Sequence, residues 1–160
     1  MKEIYLDHAS TTYVRDEVLG IMNKYFQDEY GNPGSFHTIG LRPKRAMAKA
    51  RELVRDIINA KRVEEIIFTG SGTESVNLAI KGITEKYDTG HIIISTIEHE
   101  AVTETLYYLE HTKGWDVTKV PVDKYGLVNP KDVEDAIRPD TKLVTIMYAN
   151  NEIGTIQPIE

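Results

Sequence analysis

The chain has 160 residues, of which 41% are hydrophobic and 28% charged, a size and balance typical of one globular domain. Its net charge of -6 disfavours binding to nucleic acid, and it has no apolar run of about 18 residues that would predict a membrane span. Cysteine is absent, which excludes disulfides and thiolate metal sites, so we expect no metal. Met1-Lys2-Glu3 leads into no apolar signal segment, so we expect the protein in the cytoplasm.

The first 60 residues predict two helices around a loop. Ile4–Leu6 is a short extended start. Apolar residues recur on one helical face between Val14 and Phe26, and again between Ala46 and Ile58. The sequence Gly-Asn-Pro-Gly-Ser at residues 31–35 is dense in turn formers and predicts the loop. We expect residues 1–60 to form an arm that packs on a following sheet.

Residues 61–160 alternate between strand-like and helix-like segments. Apolar runs predict four strands, the second and fourth buried on both faces: Ile66–Thr69, His91–Ser95, Val117–Val122 and Leu143–Tyr148. Helical patterns predict Glu74–Tyr87, Glu98–His111, and a helix that starts at Asn129-Pro130. This alternation predicts an α/β fold of βαβ units with a mostly parallel sheet.

The turn Gly70-Ser71-Gly72-Thr73 stands between a predicted strand and a predicted helix. A helix N-terminus has free amide donors and a partial positive charge, and glycine lets the backbone approach a ligand closely. The turn therefore suits a phosphate group. The same residues also form a capping box, with Ser71 at the cap and Glu74 three residues later. Taken alone, the turn leaves both interpretations open.

Three segments follow predicted strands at one edge of the sheet: residues 70–73, 98–102 and 149–154. Ligands of open α/β sheets bind outside the carboxyl ends of the strands. This edge would present backbone amides, the imidazole of His99 and the amides of Asn150-Asn151, which suit a flat, phosphorylated heteroaromatic ligand. Each feature alone also fits a plainer role, His99 as an exposed first-turn histidine and the asparagines as turn residues.

Five motifs, in order and at matching spacing, resemble the cysteine desulfurases of aminotransferase class V. They are Tyr5–Thr12 (YLDHASTT), Gly31–His37 (GNPGSFH), Phe68–Ser75 (FTGSGTES), Glu98–Val102 (EHEAV) and Asn150–Pro158 (NNEIGTIQP). The resemblance covers essentially the whole chain. It implies an enzyme of pyridoxal phosphate fold type I, with residues 61–160 as the first part of its large domain. Such an enzyme takes sulfur from L-cysteine, leaves alanine, and passes a persulfide to iron–sulfur cluster assembly or another thiolation pathway.

The resemblance also implies roles for individual residues. Gly72 and Thr73 would bind the phosphate of pyridoxal 5'-phosphate. His99 would stack on the pyridine ring and assist proton transfer, which makes it the catalytic candidate. Asn151 would hydrogen-bond the phenolic oxygen of the ring. At residues 69–74 the family more often has Thr-Ser-Gly-Ala-Thr-Glu, whereas this chain has Thr-Gly-Ser-Gly-Thr-Glu.

Several parts of the family's machinery are absent from these residues. They are the Schiff-base lysine in a Ser-x-His-Lys setting, the aspartate that pairs with the pyridine nitrogen, and the mobile cysteine. The resemblance ends at Gln157–Glu160, where the family continues for more than half its length. We therefore expect the chain alone to be inactive and to need a missing C-terminal half or a complementary chain. The resemblance further implies a homodimer in the complete enzyme, and an iron–sulfur scaffold or another sulfur acceptor protein as partner.

Two other functions stay open. One is another class V enzyme, such as a selenocysteine lyase or a kynureninase-like hydrolase, although the stretch Ala149–Pro158 favours the desulfurase branch. The other is a non-catalytic interaction module derived from the fold. In either case, a sheet that ends after Leu143–Tyr148 would leave an unpaired edge and uncovered apolar faces, so we expect the isolated chain to associate.

Overall fold

Two compact units make up residues 3–159, which the computed structural model describes. The first unit reaches Phe68 and the second begins at Thr69. The functional boundary predicted between residues 60 and 61 stays a prediction, because compactness alone does not assign a cofactor-binding domain. Within residues 3–159, no helix is long and apolar enough to cross a membrane.

The first unit contains the two predicted helices, α1 (Asp16–Gln27) and α2 (Thr38–Ile57), followed by a 3-10 turn at Val63–Glu65. The predicted loop lies between the helices and approaches α2 closely. A Cβ atom on Gly40 would lie 2.5 Å from the carbonyl oxygen of Asn32, so only glycine fits at this contact.

The strand predicted at Ile66–Thr69 is wrong, although its backbone is extended at Ile66. The carbonyl oxygen of Ile66 accepts a hydrogen bond from the guanidinium of Arg51. That guanidinium lies 5.1 Å above the ring of Phe68. A strand needs a neighbouring strand to pair its backbone groups, and no strand of the described chain pairs with this segment. The apolar composition of this segment is therefore not enough to make a strand, and the segment is an extended connection.

The second unit is an α/β sandwich that confirms the predicted fold class. Its elements in chain order are α3 (Gly72–Thr84), β1 (His91–Ser95), α4 (Glu100–Lys113), β2 (Asp116–Val120), α5 (Pro130–Ala136) and β3 (Thr141–Thr145). The strands lie in the order β2-β1-β3, and β1 is parallel to both neighbours. Strand β1 is buried along its whole length, as predicted.

The core lies on both faces of β1. On one face, Ile92 and Ile94 pack against apolar side chains of α3 and α4, including Ile80 and Leu106. On the other face, Ile93 packs with Val120 and Val128, and side chains of α5 cover them. Helices therefore sandwich the sheet, and the carboxyl ends of β1 and β3 open toward the same edge.

Strand β3 differs from its prediction in length and burial. It ends at Thr145 rather than Tyr148, and it is half-buried rather than buried on both faces. After the end of β3, the backbone N–H of Met147 donates to the carboxylate of Glu98 instead of to a neighbouring strand. The exposure of Val144 is 41%, and β3 pairs with β1 alone among the described strands. Similarly, β2 ends at Val120, two residues before its predicted end.

Candidate functional site

A cleft of about 550 Å³ opens at the carboxyl edge of the sheet in the second unit. The starts of α3 and α4 and the end of β3 line it. Three predicted site residues, Gly72, Thr73 and His99, are among its lining residues. They come from segments that are distant in sequence. His99 follows the carboxyl end of β1, as expected for a site at the strand ends, whereas Gly72 and Thr73 begin α3, which packs against α4 beside the sheet.

The turn before α3 combines a helix cap with free donors. The Oγ of Ser71 accepts from the N–H of Glu74 at 3.1 Å, which confirms Ser71 as the cap. The Glu74 carboxylate accepts from the N–H of Gly70 at 2.7 Å, one residue before the usual partner in a capping box. The amides of Gly72 and Thr73 have no acceptor within residues 3–159. The cap interpretation therefore leaves two amides for a ligand.

Open space lies beside Gly72. A Cβ atom built on Gly72 would meet no other atom within 4 Å. The hydroxyl of Thr73 is exposed, and within residues 3–159 it has no hydrogen-bond partner. Two amides and one hydroxyl at the start of a helix are donors of the kind that bind a phosphate group.

His99 is the N-cap residue of α4. Its Nδ1 accepts from the N–H of Ala101 at 3.0 Å. Because Nδ1 is an acceptor, the neutral ring carries its proton on Nε2. The ring is exposed and lines the cleft, so one of its nitrogens is fixed by the helix and the other is free for a ligand.

Glu98, for which the sequence indicated no role, and Asn150, which it indicated as a ligand amide or a turn residue, hold the edge of the cleft. The Oε1 of Glu98 accepts from the hydroxyl of Ser95 at 2.6 Å and from the N–H of Met147 at 2.8 Å. The side chain of Asn150 donates to the carbonyl oxygen of Ile97 at 2.9 Å. Glu98 is half-buried and Asn150 is buried. An asparagine that opens a turn is a sequence signal for local hydrogen bonding, but no signal marks its distant partner.

The predicted ligand residue Asn151 lies outside the cleft lining. Its side chain is exposed and donates to the carboxylate of Glu152 at 3.0 Å. The neighbouring Asn150 accepts from the backbone amides of Glu152 and Ile153. The role of Asn151 toward a ring oxygen therefore stays a prediction.

The donor set of the cleft fits a phosphorylated aromatic ring such as pyridoxal phosphate. The free amides of Gly72 and Thr73 suit the phosphate, and the exposed imidazole of His99 suits a ring. The anionic side chain of Glu98 also lines the cleft, but two hydrogen-bond donors already engage one of its oxygens.

The chain belongs to the aminotransferase class V family, whose family model matches residues 4–160. It is 47% identical over 161 residues to a cysteine desulfurase IscS of Dictyoglomus turgidum, covering 99% of this chain and 40% of that protein. It is 50% identical over 161 residues to a cysteine desulfurase IscS of Methanosarcina thermophila, covering 99% of this chain and 39% of that protein.

Solved structures give the same relationship. A NifS-like protein matches with a TM-score of 0.90 and 43% identity, over 94% of this chain and 41% of that one. The structure of SspA in complex with cysteine matches with a TM-score of 0.92 and 42% identity, over 98% of this chain and 45% of that one. The chain thus has the fold of the N-terminal part of these proteins and spans about two-fifths of their length.

Proposed function

We propose that this chain provides the first part of the cofactor-binding domain of a pyridoxal phosphate-dependent cysteine desulfurase. The enzyme would convert L-cysteine to alanine and an enzyme persulfide for iron–sulfur cluster assembly or thiolation. The observation that carries the proposal is that one cleft is lined by Gly72, Thr73 and His99, and that the amides of Gly72 and Thr73 have no acceptor within residues 3–159. The identity of 47% to a relative named cysteine desulfurase supports this branch of the family.

Different residues of the cleft would bind the cofactor and transfer a proton. Bound pyridoxal phosphate would supply an electron sink for bonds at the Cα atom of cysteine. The amides of Gly72 and Thr73, with the Thr73 hydroxyl, would bind its phosphate. The ring of His99 would lie against the cofactor ring and hold or release a proton at Nε2. Asn151 would bond the phenolic oxygen after its side chain leaves Glu152.

The complete enzyme would need groups that these residues do not supply. The lysine that attaches the cofactor and the cysteine that accepts sulfur would come from a C-terminal part, since the relatives extend well beyond the matched region. We propose a cytoplasmic homodimer for the complete enzyme, and an iron–sulfur scaffold or another acceptor protein as its sulfur-receiving partner. The chain alone would be inactive.

A complementation assay tests this proposal. The chain is co-expressed with the C-terminal part of the Methanosarcina thermophila relative, taken from the point where the match ends. Alanine formation from L-cysteine is then measured with pyridoxal phosphate present. We expect turnover from the pair and none from either part alone. The N-terminal part of the relative, paired with the same C-terminal part, is the positive control.

Variants and substrates give this assay its specificity. His99→Gln should lower turnover by about 10²-fold, a typical loss for a general acid–base. His111→Gln, an exposed histidine in the last turn of α4, should leave turnover at the parental level. Faster turnover of L-kynurenine or L-selenocysteine than of L-cysteine would assign the chain to another class V enzyme. A pair that assembles but binds no pyridoxal phosphate, beside an active positive control, would point to the non-catalytic module.

A further inference from the structure

We propose that Glu98 is a positioning residue that sets the orientation of His99 in the cleft. It does so by joining the end of β1 to the backbone that follows β3. The proposal deepens the proposed function, and it rests on that function only where it gives His99 a part in turnover. The hydrogen bonds that carry it belong to the chain itself.

The contacts of Glu98 cross between two strand ends. Its Oε1 receives the hydroxyl of Ser95 at 2.6 Å and the N–H of Met147 at 2.8 Å. Ser95 is the last residue of β1, and its side chain is buried with 1% exposure. Met147 lies two residues after the end of β3. A single carboxylate oxygen therefore connects two elements that meet at the cleft.

This connection fixes the backbone directly before His99. The N–H of Ala101 donates to Nδ1 of His99 on the helix side, and Glu98 is fixed on the strand side. The side chain of Asn150 adds a third restraint through the carbonyl oxygen of Ile97. Residues 97, 98 and 99 are thus each held by one hydrogen bond or more. A site residue whose support is locked in this way keeps one orientation.

Substitutions of Glu98 can distinguish the effect of its hydrogen-bond geometry from the effect of its charge. Both partners of Glu98 donate, and the oxygen of a glutamine amide can accept from two donors as well. Glu98→Gln should therefore keep the connection without the negative charge. Glu98→Asp keeps the charge, but it is one methylene shorter and should lose the reach. Glu98→Ala would leave the Ser95 hydroxyl and the Met147 amide without an acceptor.

The first measurement uses the 160-residue chain, at a concentration where it sediments as a monomer, and needs no cofactor. Amide hydrogen exchange at Met147 and Ala101 is followed by NMR. We expect exchange at both amides to be about 10-fold faster in Glu98→Ala and Glu98→Asp than in the parent, since Met147 loses its acceptor and His99, the acceptor of Ala101, loses its support. Glu98→Gln and the control Glu104→Gln, an exposed residue of α4, should keep the parental rates. Parental exchange in Glu98→Asp would overturn the connection.

The second measurement asks whether Glu98 acts through His99. In the complemented enzyme, Glu98→Asp should lower kcat by about 10-fold, whereas Glu98→Gln should keep the parental kcat. In the His99→Gln background, the same Glu98→Asp change should cause no further loss, because residues that act as a unit are not additive. An additional 10-fold loss in that background would show an independent role. A loss in Glu98→Gln equal to that in Glu98→Asp would show that charge, not position, matters.

Together, the two measurements distinguish a failure of the proposed function from a failure of the positioning role of Glu98. If the complemented parent shows no turnover, the proposed function fails, and the exchange rates still test the connection made by Glu98. If the parent turns over while all Glu98 variants match it, the positioning role fails and the proposed function stands.

Discussion

Ser71 and Thr73 begin the same helix, but their hydroxyl groups have different surroundings. The Oγ of Ser71 accepts the N–H of Glu74 and so completes the helix cap. The hydroxyl of Thr73 is exposed beside the cleft, and the described chain offers it no hydrogen-bond partner. The two interpretations of this turn, helix cap and phosphate site, therefore apply to different residues.

Substitution of each hydroxyl should separate the two roles. Thr73→Val in the complemented enzyme should weaken pyridoxal phosphate binding by about 1–3 kcal/mol, through the loss of a charge-assisted hydrogen bond. Ser71→Ala should lower the free energy of unfolding by about 1 kcal/mol and leave affinity unchanged. Equilibrium dialysis gives the affinity and urea unfolding gives the stability. Parental affinity in Thr73→Val would remove this residue from the phosphate site.

The strands show what a local pattern can predict and what it cannot. His91–Ser95 was predicted as a buried strand, and the structure has it with the same bounds. Ile66–Thr69 has a similar apolar composition but forms no strand. The difference is that only the first segment has a neighbouring strand to pair with. Pairing depends on a second segment, so it cannot be predicted from the apolar residues of one segment alone. The apolar periodicity that indicates a helix lies within one segment, and it predicted the presence of α1 to α4, although α2 begins at Thr38, well before the periodic stretch from Ala46.

The candidate site follows the same division. His99 could be predicted because it follows a strand at the carboxyl edge of a parallel sheet, and Gly72 and Thr73 because a glycine turn before a helix leaves free amides. Glu98 and Asn150 make long-range contacts that could not be predicted, although the sequence does indicate Asn150 as a turn residue. Their hydrogen bonds reach partners 49 and 53 residues away in the sequence, and their residue types are equally common in solvated turns.

A histidine at the opposite edge connects all three strands. His91 begins β1 with its side chain fully buried. Its Nδ1 lies 2.8 Å from the hydroxyl of Thr141 in β3, and its Nε2 lies 2.8 Å from the hydroxyl of Thr118 in β2. The N–H of Arg138 donates to the same Thr141 hydroxyl. That hydroxyl can then donate to Nδ1, which leaves the proton of the neutral ring on Nε2 toward Thr118.

This network should make stability depend on pH. Burial lowers the pKa of His91, and the nearby Arg138 lowers it further, while Asp116 and Asp140 act in the opposite direction. The unfolded chain then takes up the proton more readily than the folded one. The free energy of unfolding should therefore fall as the pH drops below the usual histidine value of about 6.5, with a slope of at most about 1.4 kcal/mol per pH unit.

Urea unfolding at about pH 7.5 and about pH 5.5 measures this effect. His91→Gln should flatten the pH dependence, and the exposed His111→Gln should keep the parental slope. The pKa of Asp116 is also lowered, mainly by its hydrogen bond to Arg138, but that carboxylate loses its contribution only at more acidic pH. An identical slope in the parent and in His91→Gln would contradict the network.

Across the whole molecule, large apolar side chains stay exposed on both units. In the first unit they include Ile21, Phe26 and Ile57, with exposures of 63%, 68% and 81%. In the second unit, an apolar groove of about 360 Å³ runs beside β3 and α5, with Val144 and Ile146 among its lining residues. A contiguous apolar surface beside an unpaired strand edge is a site of association.

The isolated chain should therefore self-associate, and the groove beside β3 should contribute. Val144→Lys places a charge on the exposed edge strand and should shift the weight-average mass in sedimentation toward the 18.1 kDa monomer. Ile137→Lys changes a residue that is 56% exposed and lies outside the groove lining, so it should leave the association at the parental level. In the complemented pair, the C-terminal part of the relative should cover the groove, so the parent pair should bind less of a dye for exposed apolar surface than the isolated parent chain. If the parent chain alone sediments as a monomer at micromolar concentration and binds no such dye, its apolar surface is covered by the chain itself, and the prediction fails.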